Sequence, residues 1–371
     1  MPQSILIRGA RQLLTLRGTA NPPPGPRRGI QLSELSIIPD GAVLINHGII
    51  QCVGPTRRLD NLAGAKKAKV IDATGMIVMP GFIDCDCRLF PSAPLKPAVS
   101  ASKRKDALLH KIAHAARCGT LATELQIGPG LVGLDELKWL DNCAMNTIST
   151  YVPEKLSRKD IAPMLKKTQF QFLEIPSRHQ RWTGDDSQSW LEQAANLGCL
   201  MKARATNMES CQNLPVQQIC WEGEAGREDI QWAATQDWVL SGSPMQALEQ
   251  GGGNPQWRAM LDSGVALALA TGASSRIAGA VSMQLILALA CTQMGLNIAE
   301  AITATTMNAA YAMGIQDITG SIEPGKRADL LILDVPDYRE IPYHLGINLI
   351  SKVILHGKIL FQQPELEWLG A

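Results

Sequence analysis

The sequence predicts an α/β protein made of one barrel-sized unit and something smaller, and three observations carry that expectation. A chain of 371 residues, 46% hydrophobic and 19% charged, is long enough to bury a large core. Short runs alternate with the period of a strand, most clearly from Val78 to Phe90. There Asp84, Asp86 and Arg88 fall on one side and Ile83, Cys85 and Cys87 on the other. Helical stretches, about Ala107 to Arg117 and Ser187 to Leu197, stand among these runs.

Composition excludes several classes of function. The net charge is +1 and the pI about 7.6, with Lys and Arg dispersed apart from short clusters such as Lys66-Lys67 and Lys103 to Lys105. Neither nucleic acid nor an anionic membrane is an expected partner. The start, M-P-Q-S-I-L-I-R-G-A, has no long apolar core, and no apolar run approaches the roughly 20 residues of a membrane span, so a cytoplasmic protein is expected. Nine cysteines without CxxC spacing are expected to be reduced and mostly buried.

In chain order, Ser4 to Arg17 and Gly41 to Val53 read as strands joined by the irregular N-P-P-P-G-P-R-R-G loop. Asp40 to Pro55 is a hairpin that turns at Asn46-His47-Gly48, which makes His47 a solvated turn residue. His110 and His114 stand at i and i+4 on the first long helix, without a Glu or third ligand to complete a metal site. Phe170 to Ile175 is a strand whose Glu174 can point into a pocket, with Arg178, His179 and Arg181 beyond it. Cys199 to Thr206, Leu214 to Trp221 and Val265 to Arg276 are further strands. From Val281 two helices are expected, parted at Gly295-Leu296-Asn297, the second capped by Asn297 with Glu300 at capping-box distance. Strands around Ser351 to Leu360 follow, with His344 and His356 expected to be structural. By strand alternation Cys85 and Cys87 face outward as small apolar fillers.

The run V-M-P-G-F-I-D-C-D-C-R-L-F resembles the first barrel strand of the amidohydrolase superfamily, and Ile318 to Asp334, I-T-G-S-I-E-P-G-K-R-A-D-L-L-I-L-D, resembles the segment by which those proteins re-enter their small β domain. Gly119 to Leu140 resembles the second strand and loop of imidazolonepropionases, as do R-G-A-R-Q-L-L-T-L and Asp337 to Asn348. The resemblance implies a (β/α)8 TIM-type barrel over residues 79–321 and a composite β-sandwich from residues 1–78 and 322–371. It also implies a homodimer, and a hydrolase of cyclic amide C–N bonds with a metal at the barrel mouth.

At the positions where the resemblance implies metal ligands and substrate contacts, this chain carries other residues. Asp86 and Arg88 stand where two His belong, Gln126 where Lys belongs, Arg204 where His belongs and Gly272 where the catalytic Asp belongs. No His lies between His179 and His344, so no shift of alignment restores one. The connection from Leu89 to Lys105 is also shorter than the substrate-binding segment of the family. A divalent ion needs roughly three or four ligands and a nearby base. The expectation is therefore no metal and no cofactor, with Asp86 paired to one or both arginines in its place. The expected pocket comprises Asp84, Asp86, Arg88, Gln126, Glu174, Arg204, Trp221, Gly272 and Arg276. It would serve a barrel that has lost metallohydrolase activity and binds a small anionic ligand through Arg88 and Arg204, or acts as a scaffold or partner subunit. The alternatives are metal-independent hydrolysis with Asp84, Asp86 or Glu174 as base, and an obligate complex with an active homologue.

Overall fold

The computed structural model describes residues 4–18, 25–87, 100–128, 134–140, 143, 145–152, 171–175, 192, 194–196, 198–212, 214–249, 256–272 and 282–363. The first strand, β1 (Ile5–Leu14), buries Ile7, Leu13 and Leu14 completely and pairs antiparallel with β2 (Ile37–Asn46). The chain turns through His47 and Gly48, both at positive φ, into β3 (Ile49–Pro55). Gly48 is required there, because a Cβ would lie 2.7 Å from the carbonyl oxygen of His356. Two further strands, β4 (Lys69–Asp72) and β5 (Ile77–Pro80), pair parallel with the first and second parts of β1.

The barrel strands follow: β6 (Phe82–Asp84), β7 (Thr120–Ile127), β8 (Asn146–Tyr151), β9 (Phe172–Ile175), β10 (Leu200–Ala205), β11 (Gln218–Trp221), β12 (Val239–Gly242) and β13 (Leu267–Leu269). Each pairs parallel with the next in sequence order. The barrel closes without a ladder between β13 and β6. Its seam is held by the Gly272 N–H donating to the Asp86 carbonyl at 3.0 Å, and by Thr271, whose N–H and Oγ1 donate to the Asp84 carboxylate at 3.0 and 2.6 Å.

Alternation divides the strands into two faces. Leu125, Ile127, Leu173, Ile175, Met201 and Ala203 pack outward with Leu108 and Ile112 of the helix Ala101–Arg117. At the N-terminal end Ile83, Ala122, Val239 and Ala268 cluster with Ala309, Ala310 and Ala312 of the helix Met307–Ala312, which plugs the barrel from below. The end of the chain returns as β14 (Leu330–Leu333), antiparallel to β5, then β15 (Ile350–Leu355) and β16 (Lys358–Gln362). Both ends of the chain thus build one separate eight-stranded sheet.

Two elements differ from expectation. The first long helix begins at Ala101, where Ser100 accepts from the Lys103 N–H; its opening turn carries no buried apolar residue, so periodicity misses it. The helix capped by Asn297 breaks at Thr306, with φ −128° and ψ −84°, so Ile298–Thr305 and Met307–Ala312 are separate. All nine cysteines are free thiols. Among the described residues no helix is long and apolar enough to cross a membrane.

Candidate functional site

The upper interior of the barrel is ionic. Residues two apart on a strand share a face, so β7 presents Glu124 and Gln126 together and β10 presents Lys202 and Arg204. Lys202 stands beside Glu174 across the ladder from β9. Arg204 donates from Nη2 to Asp86 Oδ1 at 2.7 Å and from Nη1 to Asp86 Oδ2 at 3.1 Å. Its remaining contacts are Nη1 to Glu222 Oε1 at 2.7 Å and Nε to Glu174 Oε1 at 3.2 Å. Lys202 Nζ lies 3.4 Å from Glu174 Oε2 and 3.9 Å from Asp86 Oδ1. It also touches the Glu124 carboxylate, as an ion contact without the alignment of a hydrogen bond. Gln126 donates to Glu174 Oε2 at 3.2 Å. One layer below, Gln218 donates to the Cys85 carbonyl and to Ser241 Oγ.

Such a cluster persists only if each charge is compensated, since taking an ion out of water costs several kcal/mol. Lys202 is 1% exposed. Desolvation disfavours its ammonium form, but Cys220 and the carboxylates of Glu124, Glu174 and Asp86 outweigh that and hold its pKa well above the ordinary value. Arg204 is likewise held charged against desolvation, chiefly by Asp86 and Glu174. Burial pushes the Glu124 carboxyl up to about 7, with Lys202 opposing.

The structure brings Asp86, Gln126, Glu174 and Arg204 together, and Asp86 pairs with Arg204 as anticipated. Gly272 joins only through its backbone. At φ +56° its position is left-handed, and a Cβ there would lie 2.5 Å from Ser243 Cβ. Asp84 does not face the mouth. Ile83 packs into the barrel, so Asp84 beside it on β6 points the other way and its carboxylate is spent on the seam with Thr271; the bend through Cys85 and Asp86 after the strand is what brings Asp86 to the mouth. Burial raises its pKa to about 6.

Cys85, two residues beyond Ile83, keeps the same inward face in the cluster with Ala122, Val239 and Ala270, whereas Cys87, beyond the bend, packs as expected toward the helix Ala101–Arg117. Burial pushes both thiols well up, so neither is a ready nucleophile. Trp221 also departs from the expected pocket. It belongs with Ile219, Ile230, Ala233 and Trp238 on the helix side, and its indole N–H is buried without a partner among the described residues. Arg88, Arg276 and His179 lie outside the described residues.

Sequence reasoning left out Glu124, Lys202 and Glu222. The signal for the first two was present: each lies two residues before a chosen position, Gln126 or Arg204, on the same strand face. His47, His110 and His114 are exposed, and among the described residues no group of three or more His, Cys, Asp and Glu is arranged to hold a metal ion.

Comparison with known proteins fits this architecture. The amidohydrolase family model matches residues 252–360. An imidazolonepropionase from Solibacter usitatus is 30% identical over 428 aligned positions, covering 98% of this chain and all of the relative. One from Brevibacillus brevis is 27% identical over 429 positions, covering 99% of this chain and all of the relative. Among solved structures, Aspergillus niger ochratoxinase superposes with a TM-score of 0.74 at 15% identity, covering 96% of this chain and 95% of the other. Guanine deaminase of E. coli gives 0.70 at 15%, covering 98% and 100%. The chain belongs to the amidohydrolase family. Within that family its similarity runs to the imidazolonepropionases along almost its full length. The alignments have more positions than the chain has residues, so these relatives carry residues that it lacks.

Proposed function

We propose that this barrel has exchanged the metal centre of its family for the Asp86–Arg204–Glu174–Lys202–Glu124 network and no longer performs metal-dependent hydrolysis. The observation that carries the reading is the two-pronged grip of Arg204 on Asp86. A guanidinium stays charged under any ordinary condition. At an effective dielectric near 20 it would repel a divalent ion about 4 Å away by roughly 8 kcal/mol. Gly272 adds a second argument, since the backbone there has no room for the Cβ of an Asp beside Ser243. The described residues therefore do not fit a divalent cation.

The same contacts bear on the expected small anionic ligand. Arg204 spends four of its N–H groups on Asp86, Glu174 and Glu222, so it is not free to receive an anion, and such a ligand would depend on other groups at the mouth.

Glu124 favours a second reading. Its carboxyl, raised to about 7, stands in the range suited to a general base; it too touches a cation, Lys202, but Asp86 and Glu174 are each held by Arg204 as well and Asp84 is spent on the seam. The test is hydrolysis of imidazolonepropionate, the compound in the relatives' name, with and without zinc, iron or manganese. The proposal expects no turnover above the uncatalysed rate in either case. Metal-stimulated turnover would overturn it, and turnover that survives chelation and disappears in Glu124→Gln would establish the second reading.

A further inference from the structure

Two loose edges of the small sheet border one groove. β4 pairs with β1 alone and β16 with β15 alone, so each has an edge without a partner strand among the described residues. A groove of about 390 Å³ is lined by β4 along its whole length, Lys69–Asp72, by Ile359 and Gln362 of β16 and by Lys352 of β15. It opens on the core of the sheet: Ile71 belongs to that core, and Met76 and Ile359, which also line the groove, are only partly buried against it. Val70 is 53% exposed. Two of the lining residues are lysines and one is a carboxylate, Asp72. The Thr74 hydroxyl and N–H, at 2.6 and 3.0 Å, hold the Asp72 carboxyl below its usual range, with Arg8 and Lys352 assisting, whereas Lys69 has no ion pair among the described residues. Unpaired edges with exposed apolar side chains are templates for a further strand unless something covers them.

The chain carries a suitable cover next to the groove. The Gln363 N–H still donates to the Ser351 carbonyl at 2.9 Å, and Pro364, which follows, has no N–H to continue the ladder and favours a turn. Residues 365–369, E-L-E-W-L, lie outside the described residues. In an extended conformation Leu366 and Trp368 would share one face and Glu365 and Glu367 the other. Like β16, the run has five residues. We propose that residues 365–369 fold back along the free edge of β16 as a further strand that occupies this groove. Leu366 and Trp368 then extend the core at Ile71, Met76 and Ile359, and the groove's lysines favour a run that carries two glutamates. The site is remote from the ionic barrel interior and does not depend on what happens there.

The experiment is amide hydrogen exchange on the full chain, with a synthetic peptide of residues 364–371 as the unprotected reference. The expected result is that residues 366–369 exchange at least about tenfold more slowly in the protein than in the peptide. Lys69→Glu combined with Val70→Glu, which removes apolar surface and reverses the groove's charge, should bring them back to within about twofold of the peptide. Ile7 and Leu13 of β1 should stay protected in that variant, which shows that the sheet is intact. Trp368→Ser, which leaves the groove untouched, should have the same effect on the tail. Exchange as fast as in the peptide, or protection that the groove variant leaves unchanged, would overturn the proposal. So would protection that is lost on dilution together with a dimer seen by light scattering, since the strand in the groove would then come from a second copy.

Discussion

Lys202 is a fully buried ammonium whose ion contacts are all carboxylates, and its consequences follow from electrostatics. Replacing it with Met leaves Glu124, Glu174 and Asp86 facing one another with one cation fewer. Breaking a buried pair from one side costs about 3–5 kcal/mol. Lys202→Met should therefore lower the unfolding free energy by that order in denaturant titration, and an unchanged midpoint would show that the network does not hold the barrel. Glu124 gives a pH signature. Burial raises its native pKa from an ordinary 4.5 to about 7, so between these values the native state binds more protons than the unfolded one. Stability from this group is then complete below about pH 4.5 and lost as pH rises through 7. Glu124→Gln should flatten that decline, by about 3 kcal/mol at most. A mutant curve parallel to wild type from pH 4.5 to 7.5 would contradict the assignment.

Strand ends and helix caps show what the element scale decides. The end of β13 places Gly272 at a left-handed φ against Ser243, so Gly272→Asp, which restores the family residue, should not restore a metal site. It should instead destabilise the fold by about 1–3 kcal/mol or more, read as a lower Tm with no gain of bound metal. At the helix Ile298–Thr305, Asn297 Oδ1 accepts from the Glu300 N–H at 2.9 Å and Glu300 returns the bond at 2.8 Å. Asn297→Ala should cost about 1 kcal/mol. That cap was legible because its chemistry is local: two residues at fixed spacing announce it. The hairpin at His47-Gly48 was legible for the same reason. The orientation of Asp84 was not, because the rule of two ties it to Asp86 only while the strand runs, and β6 ends at Asp84, beside Thr271 across the seam.

At the scale of the whole molecule, the barrel and the sheet shared by both ends of the chain were readable from the resemblance and from patterned hydrophobicity. The polar interior was readable only in part. Asp86, Gln126, Glu174 and Arg204 stood at known strand ends, and the structure joins them. Glu124 and Lys202 were passed over because a buried charge is legible only when its partners are known to lie across the barrel, which is tertiary information. Trp221 was misplaced for the converse reason: position along β11 does not say which face the helices cover. The central proposal is that side-chain cations, not a metal, organise the mouth. Elemental analysis of protein purified without chelators or a metal-bearing tag tests it most directly, paired with a melting curve before and after chelation. The expected result is well under one equivalent of zinc, iron or manganese per chain and a Tm that chelation leaves in place. About one equivalent of any of them, with a Tm that falls when it is stripped, would contradict it.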